Sequence, residues 1–377
     1  MEKLKLLIFD LDGVITSETK YWNTSRLTVW ELICGEQYLG ISDYFGESRE
    51  VETRLVEIGD RIIPSSFIYE LKSRAVNSNW DLTFFVVCLH LVAIFNEFQK
   101  SADNRFYEIL NKPLSLPAKF QELGKLLSNF EYTDEISNNL IKQFWQETTS
   151  LRGTAVVEYV GSFSKKMLGF AIPGCEGKGE LWQLCYQNFQ DWYEGKKGYQ
   201  LPDDETVVEV NKIDAALKLL RDSGRFNLAI ATGRPRNEVI EPMTALGLLK
   251  YFDSQRIVTY DEVLEAESIL SATNHPTNQQ IKLGKPHPFV LFKAVYPEEK
   301  VEKLVAENFQ LTNGEEVAYI GDAGSDVVAA KKARCFSLGV LTGFAGGKSR
   351  EMLTGLGCDL VLDSILDLPQ LLGVGKS

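Results

Sequence analysis

The spacing of the apolar runs along this chain admits few folds. One short run, Leu4 to Phe9, stands alone near the N-terminus and ends in Asp10-Leu11-Asp12-Gly13. Runs of the same kind return only at Phe226–Ala231, Val317–Ile320, Phe336–Leu341 and Leu360–Leu362, with helical patterns over 211–222, about 326–333 and after Lys348. Continuous apolar runs suit strands covered on both faces, and their alternation with helices predicts an α/β fold built on a parallel sheet. The first strand of that sheet is separated from the rest by a stretch of another character. Residues 18–205 read as an inserted, mainly helical domain, with helices over 47–60, 67–76, 82–99, 118–128, 134–148 and 179–193, loops at 174–179 and 195–204, and all six tryptophans of the chain. A chain of 377 residues exceeds the usual size of one domain. The expected division is therefore a core of 1–17 and 206–377 interrupted by 18–205.

Composition limits the chemistry. The formal net charge of -12 disfavours a nucleic-acid partner, because affinity for a phosphate backbone comes from clustered Lys and Arg. An acidic chain that handles phosphate must concentrate positive charge locally. Leu4–Phe9 is too short for a signal-peptide core, and Leu82–Phe95, interrupted by Thr83 and His90, falls short of the roughly 18–20 residues that span a bilayer. No membrane partner is expected. The six cysteines are scattered without a Cys-x-x-Cys pair, which fits reduced thiols in a cytoplasmic setting. Only three histidines are present, so a His-based metal site or a Ser-His-Asp triad is disfavoured. Carboxylates must carry the reaction.

Four places in the α/β part end a strand or open a helix with residues suited to phosphate. In Asp10-Leu11-Asp12-Gly13, strand alternation would put Asp10 and Asp12 on one face, one to attack and one to transfer protons, although an ordinary Asp-Gly turn reads the same way. Thr232-Gly233-Arg234-Pro235 offers a hydroxyl and a main-chain N–H, or a plain strand-to-helix turn. Arg234 either faces the cleft or pairs with a surface carboxylate. Lys285-Pro286 places a lysine at a helix start, where it is either a ligand or a solvated charge. Gly321-Asp322-Ala323-Gly324-Ser325-Asp326 brings two carboxylates to a turn suited to a hard cation, or caps the next helix.

In their order, these residues resemble the four motifs of the haloacid dehalogenase-like (HAD) hydrolase superfamily: Asp-x-Asp-Gly, Thr-Gly, Lys-Pro and Gly-Asp-x-x-x-Asp. The resemblance covers the α/β part and implies a Rossmann-like, HAD-like core. It implies that Asp10 is the nucleophile that becomes an aspartyl phosphate and Asp12 the general acid and base. Mg2+ would be held by Asp10, the Asp12 carbonyl, Asp322 and, directly or through water, Asp326. Thr232, Gly233 and Lys285 would bind the phosphoryl group, with Thr232 and Lys285 assisting catalysis. The insertion after the first motif resembles an enlarged C1-type cap, within which Arg152-Gly153, Lys165-Lys166 and 174–179 read as a recognition loop or as solvated connections.

The implied activity is phosphatase action on a phosphorylated small metabolite, in the phosphoglycolate-type branch. A phosphomutase is the enzymatic alternative, and a silent HAD-fold scaffold the non-enzymatic one. Dehalogenation is disfavoured because Asp12 is present, and phosphonate cleavage because no lysine of the insertion stands out. Thr342–Ser349 looks like a phosphate-binding P-loop but has Thr342 where the first glycine is required, so a turn closing the last βα unit is expected there. The tryptophans and His90 read as core. Neither the substrate nor the oligomeric state is specified.

Overall fold

The computed structural model describes residues 1–41, 51–74, 76, 79–100, 105–175, 178–203, 205–273, 282–343 and 346–374. Positions 47–50 of the helix expected over 47–60, residue 75 of that over 67–76, and residues 176, 177, 204, 344 and 345 of the expected loops lie outside this set. The chain divides into two compact units. The first comprises Met1–Glu18, Leu71–Asn77 and Asp204–Ser377, the second Thr19–Glu70 and Ser78–Asp203. Leu71–Asn77, read from the sequence as part of the insertion, thus groups with the α/β unit.

The α/β unit carries a parallel sheet of six strands among the described residues: β1 (Leu6–Phe9), β2 (Asn227–Ala231), β3 (Ile257–Val258), β4 (Val317–Gly321), β5 (Phe336–Val340) and β6 (Leu360–Leu362), in the order β3-β2-β1-β4-β5-β6. Five of these strands lie on the apolar runs. The sixth, β3, has only two residues, too few to show periodicity. Alternation within the strands feeds two cores. Leu7, Phe9, Leu228, Ile230, Ala318 and Ile320 pack with helix Val210–Asp222 on one face. Ile8, Ala229, Ala231, Val317 and Tyr319 pack with helices Phe289–Val295 and Gly324–Ala333 on the other.

The second unit is helical. Its longest element, Asn79–Gln99, has 21 residues and is long and apolar enough by composition to cross a membrane, which corrects the shorter span read from the sequence. It is a core helix, with 78% of its most apolar window buried against helices Thr19–Cys34, Asp134–Glu147, Thr154–Leu168 and Glu180–Tyr193. A helix surrounded by others is apolar all round. His90 lies inside it and shares a 2.8 Å hydrogen bond with the Tyr132 hydroxyl. Lys165 and Lys166 sit in the last turn of helix Thr154–Leu168, where a helix dipole favours cations, and Lys166 is paired to Glu147 at 2.7 Å.

Candidate active site

Sheet register brings the motif residues to one edge. β1 is the central strand at which strand order reverses: β2 follows it on one side and β4 on the other. Ligands of open parallel sheets bind outside the carboxyl ends of strands at such a point. Phe9 is level with Ile230 of β2 and Ile320 of β4, so Asp10, Thr232 and Asp322 all follow immediately behind aligned strand ends. The Asp10 amide donates to the Ile320 carbonyl at 2.9 Å, which fixes its height.

Asp10, Asp322 and Asp326 each offer an oxygen within 4.8 Å of the others, and all three are buried. Lys285 binds two of them, with Nζ 2.7 Å from Asp10 Oδ2 and 2.8 Å from Asp326 Oδ1. Asp326 Oδ2 accepts from the Ala323 amide at 3.0 Å, so the helix-capping reading of this residue and its membership of the cluster both hold. Asp10 Oδ1 is buried and has no hydrogen-bond partner among the described residues. A bare carboxylate oxygen in a buried carboxylate cluster is what a hard cation satisfies, and the donor set fits one.

The electrostatics agree. Burial pushes the Asp10 carboxyl up to about 7; Lys285 opposes the shift, while Asp326 and Asp12 add to it. Burial likewise pushes Asp322 up to about 8 against the pull of Lys72. Burial disfavours the charged form of Lys285, yet Asp10 and Asp326 outweigh it and hold its pKa above the ordinary lysine value.

Asp12 is placed differently from the expectation. The extended strand ends at Phe9, and residues 11–16 form a turn in which the amides of Val14, Ile15 and Thr16 all donate to the Leu11 carbonyl. Strand alternation therefore does not orient Asp12. Arg234 does: its buried guanidinium donates from Nε to Asp12 Oδ1 at 2.9 Å, pairs with the same oxygen through Nη2, and reaches Thr16 Oγ1 at 3.1 Å. The second oxygen of Asp12 takes no protein donor among the described residues, and the side chain keeps 19% exposure, so it is open to exchange a proton. The reading of Arg234 as a partner of a surface carboxylate is thereby replaced.

Thr232 is buried behind β2, its hydroxyl accepting from the Arg234 amide at 3.3 Å, and Gly233 beside it is exposed. Two residues absent from the sequence reading join the cluster. Tyr319 on β4 places its hydroxyl 3.1 Å from both Lys285 Nζ and Asp326 Oδ1, and 3.0 Å from the Ala231 carbonyl. Lys72, in the Leu71–Asn77 segment of this unit, lies 2.6 Å from Asp322 Oδ2 and 2.6 Å from Glu18 Oε2. Burial works against its ammonium, but Asp322 and Glu18 outweigh this and raise its pKa. Tyr319 is hidden in an apolar strand and Lys72 in an ordinary amphipathic helix, so neither carries a sequence signal.

The P-loop-like stretch also has a place. Thr342 donates from Oγ1 to the Gly13 carbonyl at 2.6 Å. A Cβ on Gly343 would fall 1.8 Å from Asp322 Oδ2, and one on Gly13, whose φ is +72°, 2.5 Å from the same atom. The described part of the stretch backs the first and fourth motifs.

Buried carboxylates and a lysine that pairs with two of them thus lie at the switch point of the parallel sheet, where such folds bind their ligands. The chain belongs to the haloacid dehalogenase-like hydrolases, whose family model matches residues 4–334. It is a distant relative of phosphoglycolate phosphatases: it is 25% identical over 224 residues to that of Vibrio parahaemolyticus, covering 58% of this chain and 80% of the relative. The corresponding enzyme of Vibrio vulnificus is 25% identical over 218 residues, covering 56% and 77%. An X-ray structure from the Northeast Structural Genomics Consortium is similar with a TM-score of 0.71 and 27% identity, covering 98% of each chain.

Proposed function

We propose that the protein is a magnesium-dependent phosphatase that hydrolyses a phosphorylated small metabolite through an aspartyl phosphate on Asp10. The observation that carries this reading is the Asp10 carboxylate itself, gripped by Lys285 on Oδ2 and bare on Oδ1 inside a cluster with Asp322 and Asp326. Magnesium held by Asp10, Asp322, Asp326 and the Asp12 carbonyl would offset charge on the phosphate. Asp10 attacks phosphorus and the bond to the leaving oxygen breaks. Asp12, held by Arg234, gives that oxygen a proton and then takes one from the water that releases inorganic phosphate. Lys285, Thr232 and the Gly233 amide neutralise the phosphoryl oxygens as charge builds on them. The helical unit acts in this reading as a cap that selects the leaving group.

The test is a panel of phosphorylated metabolites, beginning with phosphoglycolate, assayed with and without magnesium for free phosphate and separately for isomerised product. Wild-type protein should release phosphate only with the metal, and Asp10→Asn should lower turnover by several powers of ten. Turnover retained in Asp10→Asn would remove the nucleophile assignment, and isomerised product without phosphate would replace the phosphatase by a mutase.

A further inference from the structure

Lys72 is not a side chain that strays by chance into the carboxylates. Its own backbone is fitted to the fourth motif: a Cβ on Gly324 would lie 2.9 Å from the Lys72 carbonyl oxygen. Its side chain is 6% exposed and holds two carboxylates, Asp322 Oδ2 and Glu18 Oε2. The arrangement repeats that of Lys285. One lysine takes Asp10 by Oδ2 and the other takes Asp322 by Oδ2, and each also holds a second carboxylate, Asp326 for Lys285 and Glu18 for Lys72.

We infer that Lys72 is a positioning residue for the cation: it grips Oδ2 of Asp322 and so leaves the other oxygen to serve as a ligand, with Glu18 as its anchor. This rests on the magnesium-dependent reading above. Charge favours retention of Lys72 over its displacement by metal. The charged groups named above, Asp10, Asp12, Glu18, Asp322 and Asp326 against Lys72, Arg234 and Lys285, sum to a formal charge of -2, which one divalent ion offsets. Expelling Lys72 would leave Glu18 unpaired and an excess negative charge. Groups that hold a ligating carboxylate tune metal affinity, and their loss typically costs about 10–100-fold.

The experiment is calorimetric titration of the full chain with Mg2+, with thermal unfolding as a check on folding, for wild type, Lys72→Met, Lys72→Arg and Glu18→Gln. Lys72→Met should weaken magnesium binding about 10–100-fold, Lys72→Arg should recover part of the loss, and Glu18→Gln should shift affinity the same way by less. Unchanged affinity in a folded Lys72→Met protein overturns the inference. Tighter binding overturns it too, because the ammonium would then be a competitor for the site. Should Lys72→Met fail to fold, Glu18→Gln decides, and unchanged affinity there is fatal. A folded wild-type protein that binds no magnesium refutes the metal-dependent reading itself, whereas normal wild-type binding with indifferent variants refutes only the role of Lys72.

Discussion

Magnesium binding should expel protons from the carboxylates that burial keeps protonated. Asp10 and Asp322 are the carboxylates whose burial raises them to about 7 and about 8. The metal-free cluster has a formal charge of -2 with every group ionised, so two protons can stand in for a divalent ion. Below pH 7 both carboxylates hold their protons, and each bound magnesium should release about two, with apparent affinity rising about 100-fold per pH unit. Between pH 7 and 8 the release falls to about one, and above pH 8 affinity levels off. From pH 6 to pH 9 the total gain is about 1,000-fold, or about 4 kcal/mol. Stability of the metal-free protein runs the opposite way. A carboxylate whose folded pKa is raised binds more protons folded than unfolded, so stability falls as pH climbs from the ordinary carboxylate range towards 8. Chelator-treated protein should therefore melt lower at pH 8.5 than at pH 6, with magnesium restoring the loss. Titration calorimetry in buffers of different ionisation enthalpy counts the protons directly. An affinity independent of pH between 6 and 8, with no proton release, would refute the account of the cluster.

Two substitutions probe other links. Arg234→Met removes the group that orients Asp12, and a positioned acid–base residue is worth about 10²–10⁴ in rate. The expected result is a kcat lower by that order with KM little changed, measured on whichever substrate the metabolite panel identifies; equal losses in both constants would point to general damage. In the helical unit, Glu31 accepts from Trp192 Nε1 at 2.7 Å, Lys197 Nζ at 2.9 Å and Gln37 Nε2 at 2.7 Å. Glu31→Ala leaves Trp192 Nε1 and Gln37 Nε2 without this acceptor, while Lys197 keeps Asn188 Oδ1 at 2.8 Å. Lys197 retains some access to water, so the cost falls at the lower end of the range for broken buried pairs, about 3 kcal/mol in urea unfolding. A change below about 1 kcal/mol would mean that the network relaxes.

How much of this was legible in the sequence depends on how far each feature is local. Asp10 and Asp322 follow strands and Asp326 opens a helix, while Lys285 lies in the turn ahead of helix Phe289–Val295, and the periodicity that reveals a strand also points to its end. Their convergence follows from register, because parallel strands aligned at Phe9, Ile230 and Ile320 leave their last residues no other place to go. Helix Thr19–Cys34 was harder to see for the opposite reason. Thr24, Ser25, Thr28 and Glu31 are buried on it, so its inward face is not an apolar stripe. Lys72 and Arg234 fail locality altogether. A lysine in a helix looks solvated by default and an arginine after a Thr-Gly turn can face the cleft or a surface carboxylate, and only the fold shows that one meets Asp322 across 250 positions and the other Asp12 across 222. Both belong to the charge balance, and that sharpens what the motifs alone imply. The motif residues Asp10, Asp12, Asp322, Asp326 and Lys285 form a strongly anionic set that no single divalent ion neutralises. With Glu18, Lys72 and Arg234 included, one ion suffices. The non-motif cations thus bring the named groups into balance with one divalent ion, so the expected calorimetric stoichiometry is one magnesium, and a second bound ion would refute that balance.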